Sequence, residues 1–106
     1  MKYLKLKHEY HDAALSAVRL TGGDLTLVAD LDGHWNNKCE QRAYLTFHNV
    51  KNMDAVRARF SLAVGESSTD LSDDIIAVVK VDKTRYLVDL SKAGALEIDC
   101  RGVSEI

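Results

Sequence analysis

ALSAVRLTGGDLTLVADL, Ala14 to Leu31, holds two alternating runs joined at Gly22-Gly23, with Thr21 and Asp24 on either side. A glycine pair supplies the positive φ angles that a two-residue hairpin turn needs. Centring the turn there pairs Leu20 with Leu25, Val18 with Leu27, Ser16 with Ala29 and Ala14 with Leu31. Side chains alternate across a strand, so these pairs share one face, which reads as the core face. Arg19, Thr21, Asp24 and Thr26, with Ala17 and Val28 beyond them, fall on the other. A one-residue slip would expose the apolar set, and this fixes the register.

The same period recurs outward along the chain. Residues 2–7, KYLKLK, alternate and read as a first strand whose lysines guard a sheet edge. HEYHDA is then a polar turn or irregular entry to the hairpin. Beyond it, DGHWNNKCE, residues 32–40, reads as a loop rich in turn formers. In 41–48, Ala43, Leu45 and Phe47 point inward and Arg42, Tyr44, Thr46 and His48 outward. Segment 52–64 fits two templates. Met53, Val56 and Phe60 have helical spacing, with Asn52 as a cap, whereas Val56 to Val64 alternate over nine positions. Five matches against three select a strand, preceded by one helical turn. GESSTDLSDD, 65–74, reads as an acidic loop, and IIAVVKV, 75–81, as a strand buried on both faces. Asp82-Lys83-Thr84 turns into RYLVDL, with Tyr86, Val88 and Leu90 on one side. Ser91 to Gly94 turns again, and ALEIDCRGV sets Leu96, Ile98 and Cys100 together. Short strands at roughly ten-residue spacing predict a mainly β, single-domain antiparallel sandwich or flattened barrel over residues 1–106. About seven or eight strands and at most one short helical turn are expected.

Composition narrows the function classes. The 106 residues are 46% hydrophobic and 28% charged, enough apolar material for one core without staples. A net charge of −2 argues against a nucleic-acid surface, which is usually strongly basic. No apolar run approaches the ~20 residues of a membrane helix, and the N-terminus lacks the apolar block of a signal peptide. A cytoplasmic chain without a membrane partner is expected, with Cys39 and Cys100 as reduced, buried hydrophobes.

His8-x-x-His11-Asp12 is the densest ionisable cluster, and His34 or His48 could complete a zinc set with it. On a strand, however, residues three apart point to opposite sides, and Asp12 has a simpler use in turning the chain. No metal or other cofactor is therefore expected. The chain contains no GxSxG, phosphate loop or HExxH, and neither cysteine has the context of a nucleophile, so no enzyme is expected either. His34-Trp35-Asn36-Asn37 is the natural recognition loop, because an exposed Trp can anchor an interface.

His11-Asp12-Ala13 with Leu15 and Val18, then Leu45-x-Phe47 with Val50, then Leu96, Ile98, Cys100 and Val103 form a rhythm. It resembles a loose group of small bacterial all-β proteins with an HDA-x-L-x-x-V opening, some of which are immunity proteins of toxin systems. The resemblance implies a protein-binding module that neutralises a toxin. The acidic stretches 24–40 and 65–74 would complement a basic active-site cleft. The residues expected at the contact are Asp32, His34, Trp35, Glu66, Asp70, Asp73 and Asp74. The alternative is a small-ligand or metal-binding barrel using His8, His11 and Asp12.

Overall fold

The computed structural model describes residues 2–3, 6–32, 41–62 and 68–106. The Gly22-Gly23 hairpin joins β2 (Ala13–Thr21) to β3 (Asp24–Asp30). Gly22 has φ 60°, and Leu20 and Val18 stand opposite Leu25 and Leu27. Only the first turn residue takes a positive φ, as in a type II′ turn. Further down, the register departs from the expected one. Ser16 is an extra residue in β2, so Leu15, not Ser16, faces Ala29, and Ala14 faces Asp30. Regular alternation would have left Leu15 in water. The bulge instead turns Leu15 and Ala13 into the core and leaves Ala14 exposed. Burying a leucine in place of an alanine favours this arrangement, and the Ser16 hydroxyl mends the ladder by donating to Val28 O at 3.2 Å.

β1 (Lys2–Tyr3) is far shorter than the expected strand and pairs with the end of β5 (Ser68–Lys80). β5 itself corrects two expectations. Residues 68–74 are strand, not loop, because they pair with β2, Asp70 opposite Ala17 and Asp74 opposite Ala14. The 75–81 run is buried on one face only. A register shift between Ile75 and Ala77 directs both Ile75 and Val78 inward and leaves Ile76 42% exposed.

β4 (Arg42–His48) carries Ala43, Leu45 and Phe47 into the core as the alternation required. The segment after it does not form the strand expected over 56–64. Met53–Arg59 is a helix, α1. Val56 in the helix and Phe60 at its C-cap are buried, and Ala58 is exposed, which is the helical spacing and not the alternating one. The C-terminus explains the switch. Ser61 has φ 56°, Ser61 N–H donates to Ala58 O and Leu62 N–H to Arg57 O, a Schellman closure that brings Leu62 back onto the core. Asn52 precedes the helix without capping it. Its amide is laid along β7 (Gly94–Asp99), donating to Glu97 O at 2.8 Å and accepting from Asp99 N–H at 2.9 Å. A side chain thus occupies an edge that would otherwise invite another strand.

β6 (Arg85–Leu90) and β7 form the last hairpin, and β8 (Gly102–Glu105) ends the chain. The strand order is β7-β6-β5-β2-β3-β4-β8, so β7 and β8 lie at opposite ends of the sheet path. Only Cys100 and Arg101 separate them. Three Cα steps span at most about 11 Å, so the two edges must come together. Lys51 N–H to Asp99 O, Arg101 N–H to His48 O and Cys100 N–H to Thr84 O tie the seam. The product is one curled, barrel-like antiparallel sheet, turned at its bulges. Phe47 and Tyr86 meet edge to face across its interior at 5.8 Å. Cys100 is buried with its thiol free, and burial pushes its pKa up. Cys39 lies outside the described residues.

The N-terminal segment is latched to the last strand. The Glu105 carboxylate accepts from the Lys7 and His8 backbone N–H groups and from the Tyr10 hydroxyl at 2.9 Å. What reads in sequence as a polar entry thus contains two buried side chains, His8 and Tyr10.

Candidate functional site

The strand registers arrange the outward side chains of β5, β2, β3, β4 and β8 in rows, because directly opposed residues share a face. One row runs Asp74, Ala14, Asp30, Arg42, and the next Asp70, Ala17, Val28, Tyr44. A third runs Ser68, Arg19, Thr26, Thr46, Ser104, and at the far end Thr21, Asp24, His48 and Gly102 stand in line. Two different chemistries result, one at the β5 corner and one at the β8 corner.

At the β5 corner, Asp70 and Asp74 are exposed beside the small Ala14 and Ala17, and Ile76 follows Asp74 on the same face. His11 lies against this strand, its Nδ1 2.9 Å from Ile76 O. Its pKa is raised, first by that carbonyl and then by the charges of Asp12, Glu9 and Asp32. Asp32, expected at the contact from sequence, therefore contributes to an acidic surround at this corner. Asp30 is already paired with Arg42 at 2.8 Å.

Asp73 belongs to a different structure. Its carboxylate accepts the backbone N–H groups of Asp74, Lys92 and Ala93, at 2.8, 2.8 and 3.0 Å, and so fastens the β6–β7 turn to β5. Partial burial alone would raise its pKa. The three amides and the Lys92 charge outweigh that and hold it below the ordinary aspartate value. Replacing Asp73 by Ala is expected to cost about 1–2 kcal/mol of stability, in the range of a lost capping carboxylate. A depressed folded pKa stabilises above the unfolded value near 4, and this contribution falls away as pH drops through the folded one. Urea titrations of both proteins at pH 7 and pH 3 check this: the gap between them should narrow in acid.

His34, Trp35 and Glu66 lie outside the described residues. His11 Nε2 lies 3.5 Å from Asp12 Oδ2, but His8 does not join them. His8 is buried edge-on to Tyr10 at 6.4 Å, His11 is exposed against Ile76 O, and Asp12 has φ 63° in the turn closed by Ala13 N–H to Tyr10 O. Among the described residues, no three His, Cys, Asp or Glu side chains form a metal-binding group.

At the β8 corner, Asp24, His48 and Ser104 form a relay. His48 Nδ1 lies 3.2 Å from Asp24 Oδ2, and Nε2 lies 2.7 Å from Ser104 Oγ. Asp24 Oδ1 also accepts Asn49 N–H at 3.0 Å. That bond first, and His48 second, hold the Asp24 pKa low. A carboxylate at Nδ1 fixes the proton there and leaves Nε2 as an acceptor for the serine hydroxyl. Sequence reading placed Asp24 and His48 outward but did not join them to Ser104. The three sit on β3, β4 and β8, and only the pairing of β8 on β4 closes the set. The nearest local signal was the Asp24 position beside the Gly22-Gly23 turn.

No family model matches the chain, and no curated protein and no solved structure matches it at a significant level. No helix among the described residues is long and apolar enough to cross a membrane.

Proposed function

We propose that the chain is a protein-binding module whose contact is the β5 corner of the outer sheet face, most concretely a bacterial immunity protein that occupies a toxin's basic cleft. The observation that carries this reading is the juxtaposition of Asp70 and Asp74 with exposed Ile76 and the small Ala14 and Ala17. Carboxylates attract and orient a basic partner, small side chains let its backbone approach, and an exposed isoleucine supplies apolar area to bury. The acidic field of Asp12, Glu9 and Asp32 around His11 extends the same surface. A stable contact needs about 800 Å² from each partner, so the corner would act with neighbouring surface, Trp35 being the candidate anchor read from sequence.

Co-expression with a candidate toxin and measurement of both rate constants test the proposal. Changing Asp70 and Asp74 together to Lys should slow association tenfold or more at low salt, with the effect shrinking as salt rises. The same change at Asp54, on the exposed side of α1, should leave the rates alone. Association equally insensitive at all three positions, with toxicity still neutralised, would move the contact elsewhere.

A further inference from the structure

The geometry points to Ser104 as an activated nucleophile, with His48 as its base, Asp24 as the residue that positions the base, and activated acyl esters as the substrate class. Three side chains from three strands meet in the order carboxylate, imidazole Nδ1, imidazole Nε2, hydroxyl, at 3.2 and 2.7 Å. That order, and not any sequence spacing, is how such a relay is recognised. Asp24 is itself held by Asn49 N–H, which follows from the left-handed corner at Asn49, φ 53°. The base is thus oriented by a carboxylate that is itself fixed. Room for a substrate exists beside it. Gly102 stands opposite His48, two residues before Ser104 and on the same face, and a Cβ added there would meet nothing within 4 Å. The absent side chain leaves the flank of the imidazole and the serine open to an acyl group.

In the reaction, Ser104 Oγ bonds to the ester carbonyl carbon while His48 Nε2 takes the hydroxyl proton. The carbon–oxygen bond to the leaving alcohol then breaks, and the proton passes from Nε2 to the departing oxygen. Acyl-Ser104 and free alcohol result. Water entering by the same route releases the carboxylic acid and restores the serine, so no co-reactant beyond water is needed. Because the relay occupies the opposite corner of the face from Asp70 and Asp74, this reactivity is independent of partner binding.

A fluorophosphonate, which gives a stable serine adduct, tests the nucleophile, and mass spectrometry of peptides locates it. Ser68 is an internal control, since it is exposed at the other end of the same row, with Arg19 and not a histidine beside it. Ser104 should be labelled at least tenfold faster than Ser68. His48→Gln should bring the Ser104 rate down to that of Ser68 without changing Ser68, and Asp24→Asn should lower it in the same direction. p-Nitrophenyl acetate tests the substrate class: nitrophenolate release should fall in Ser104→Ala. Equal labelling of the two serines, Ser104 labelling that survives His48→Gln, or ester cleavage unaffected by Ser104→Ala would each overturn the proposal. All the substitutions lie on the outer face, so circular dichroism should show an unchanged fold.

Discussion

Phe47→Ala is expected to lower the unfolding free energy by about 3–5 kcal/mol. Phe47 is completely buried, faces Leu25 across β3, and meets Tyr86 of β6 edge to face at 5.8 Å. It therefore joins parts of the curled sheet that lie far apart along the strand order, and no single neighbour can collapse into the space. The loss combines removed apolar area, an unrelaxed cavity and the aromatic pair. For a domain of about this size it corresponds to a fall in Tm of more than about 10 °C. Leu27→Ala, next to it on β3 and also completely buried, should cost about 2–5 kcal/mol. Ile76→Ala, at an exposed position, should stay within about 0.5 kcal/mol. Chemical denaturation of the three variants checks the assignment of faces, and a loss at Phe47 as small as that at Ile76 would reverse it.

The second large effect lies at the latch between the chain's two ends. Glu105→Ala removes the acceptor for two backbone N–H groups and for the hydroxyl of Tyr10, a residue only 3% exposed. Leaving a buried hydroxyl without its acceptor is the costly part, and about 2–3 kcal/mol is expected in total. Tyr10→Phe removes the hydroxyl together with its need for a partner and should cost about 1 kcal/mol. The latch also carries a pH signature. Burial first, then the bond to Glu105 and its charge, hold the Tyr10 hydroxyl protonated far above the ordinary tyrosine value. Because the folded pKa is raised, this interaction is fully present below the unfolded value near 10 and is lost as pH rises beyond it. Wild type should therefore lose stability above about pH 10 more steeply than Tyr10→Phe. Parallel alkaline limbs for the two proteins, measured by urea unfolding between pH 8 and pH 11, would mean that Tyr10 is not buried as described.

Where the pattern is local, the chain reads directly. The Gly22-Gly23 turn, the pairs Leu20–Leu25 and Val18–Leu27, and the inward sets of β4, β6 and β7 follow from period-two alternation beside turn residues. A mainly antiparallel single domain follows from repeating that unit. Alternation fails where a strand carries an extra residue. The bulges at Ser16 and between Ile75 and Ala77 reverse the faces of everything beyond them, and their positions depend on which side chains the finished core can bury. The 53–60 segment was ambiguous because Val56 and Phe60 satisfy both periods. A closure at Ser61 and a docking place for Leu62 decided for helix.

The candidate sites divide along the same line. Sequence alone marked Asp70 and Asp74 as acidic, and β2 pairing made them a fixed, outward pair on a strand. It marked Asp73 in the same way, yet three backbone amides draw that carboxylate into a turn. Asp24, His48 and Ser104 were invisible as a set, since their separation along the chain carries no period. What joins them is the curl of the sheet, which lets β8 pair with β4 after β7 has ended at the other edge. Alternating apolar residues determined that this chain is a sheet with one dry face. The placement of its bulges and the return of its last strand, both set by long-range packing, decided which polar residues share the wet one.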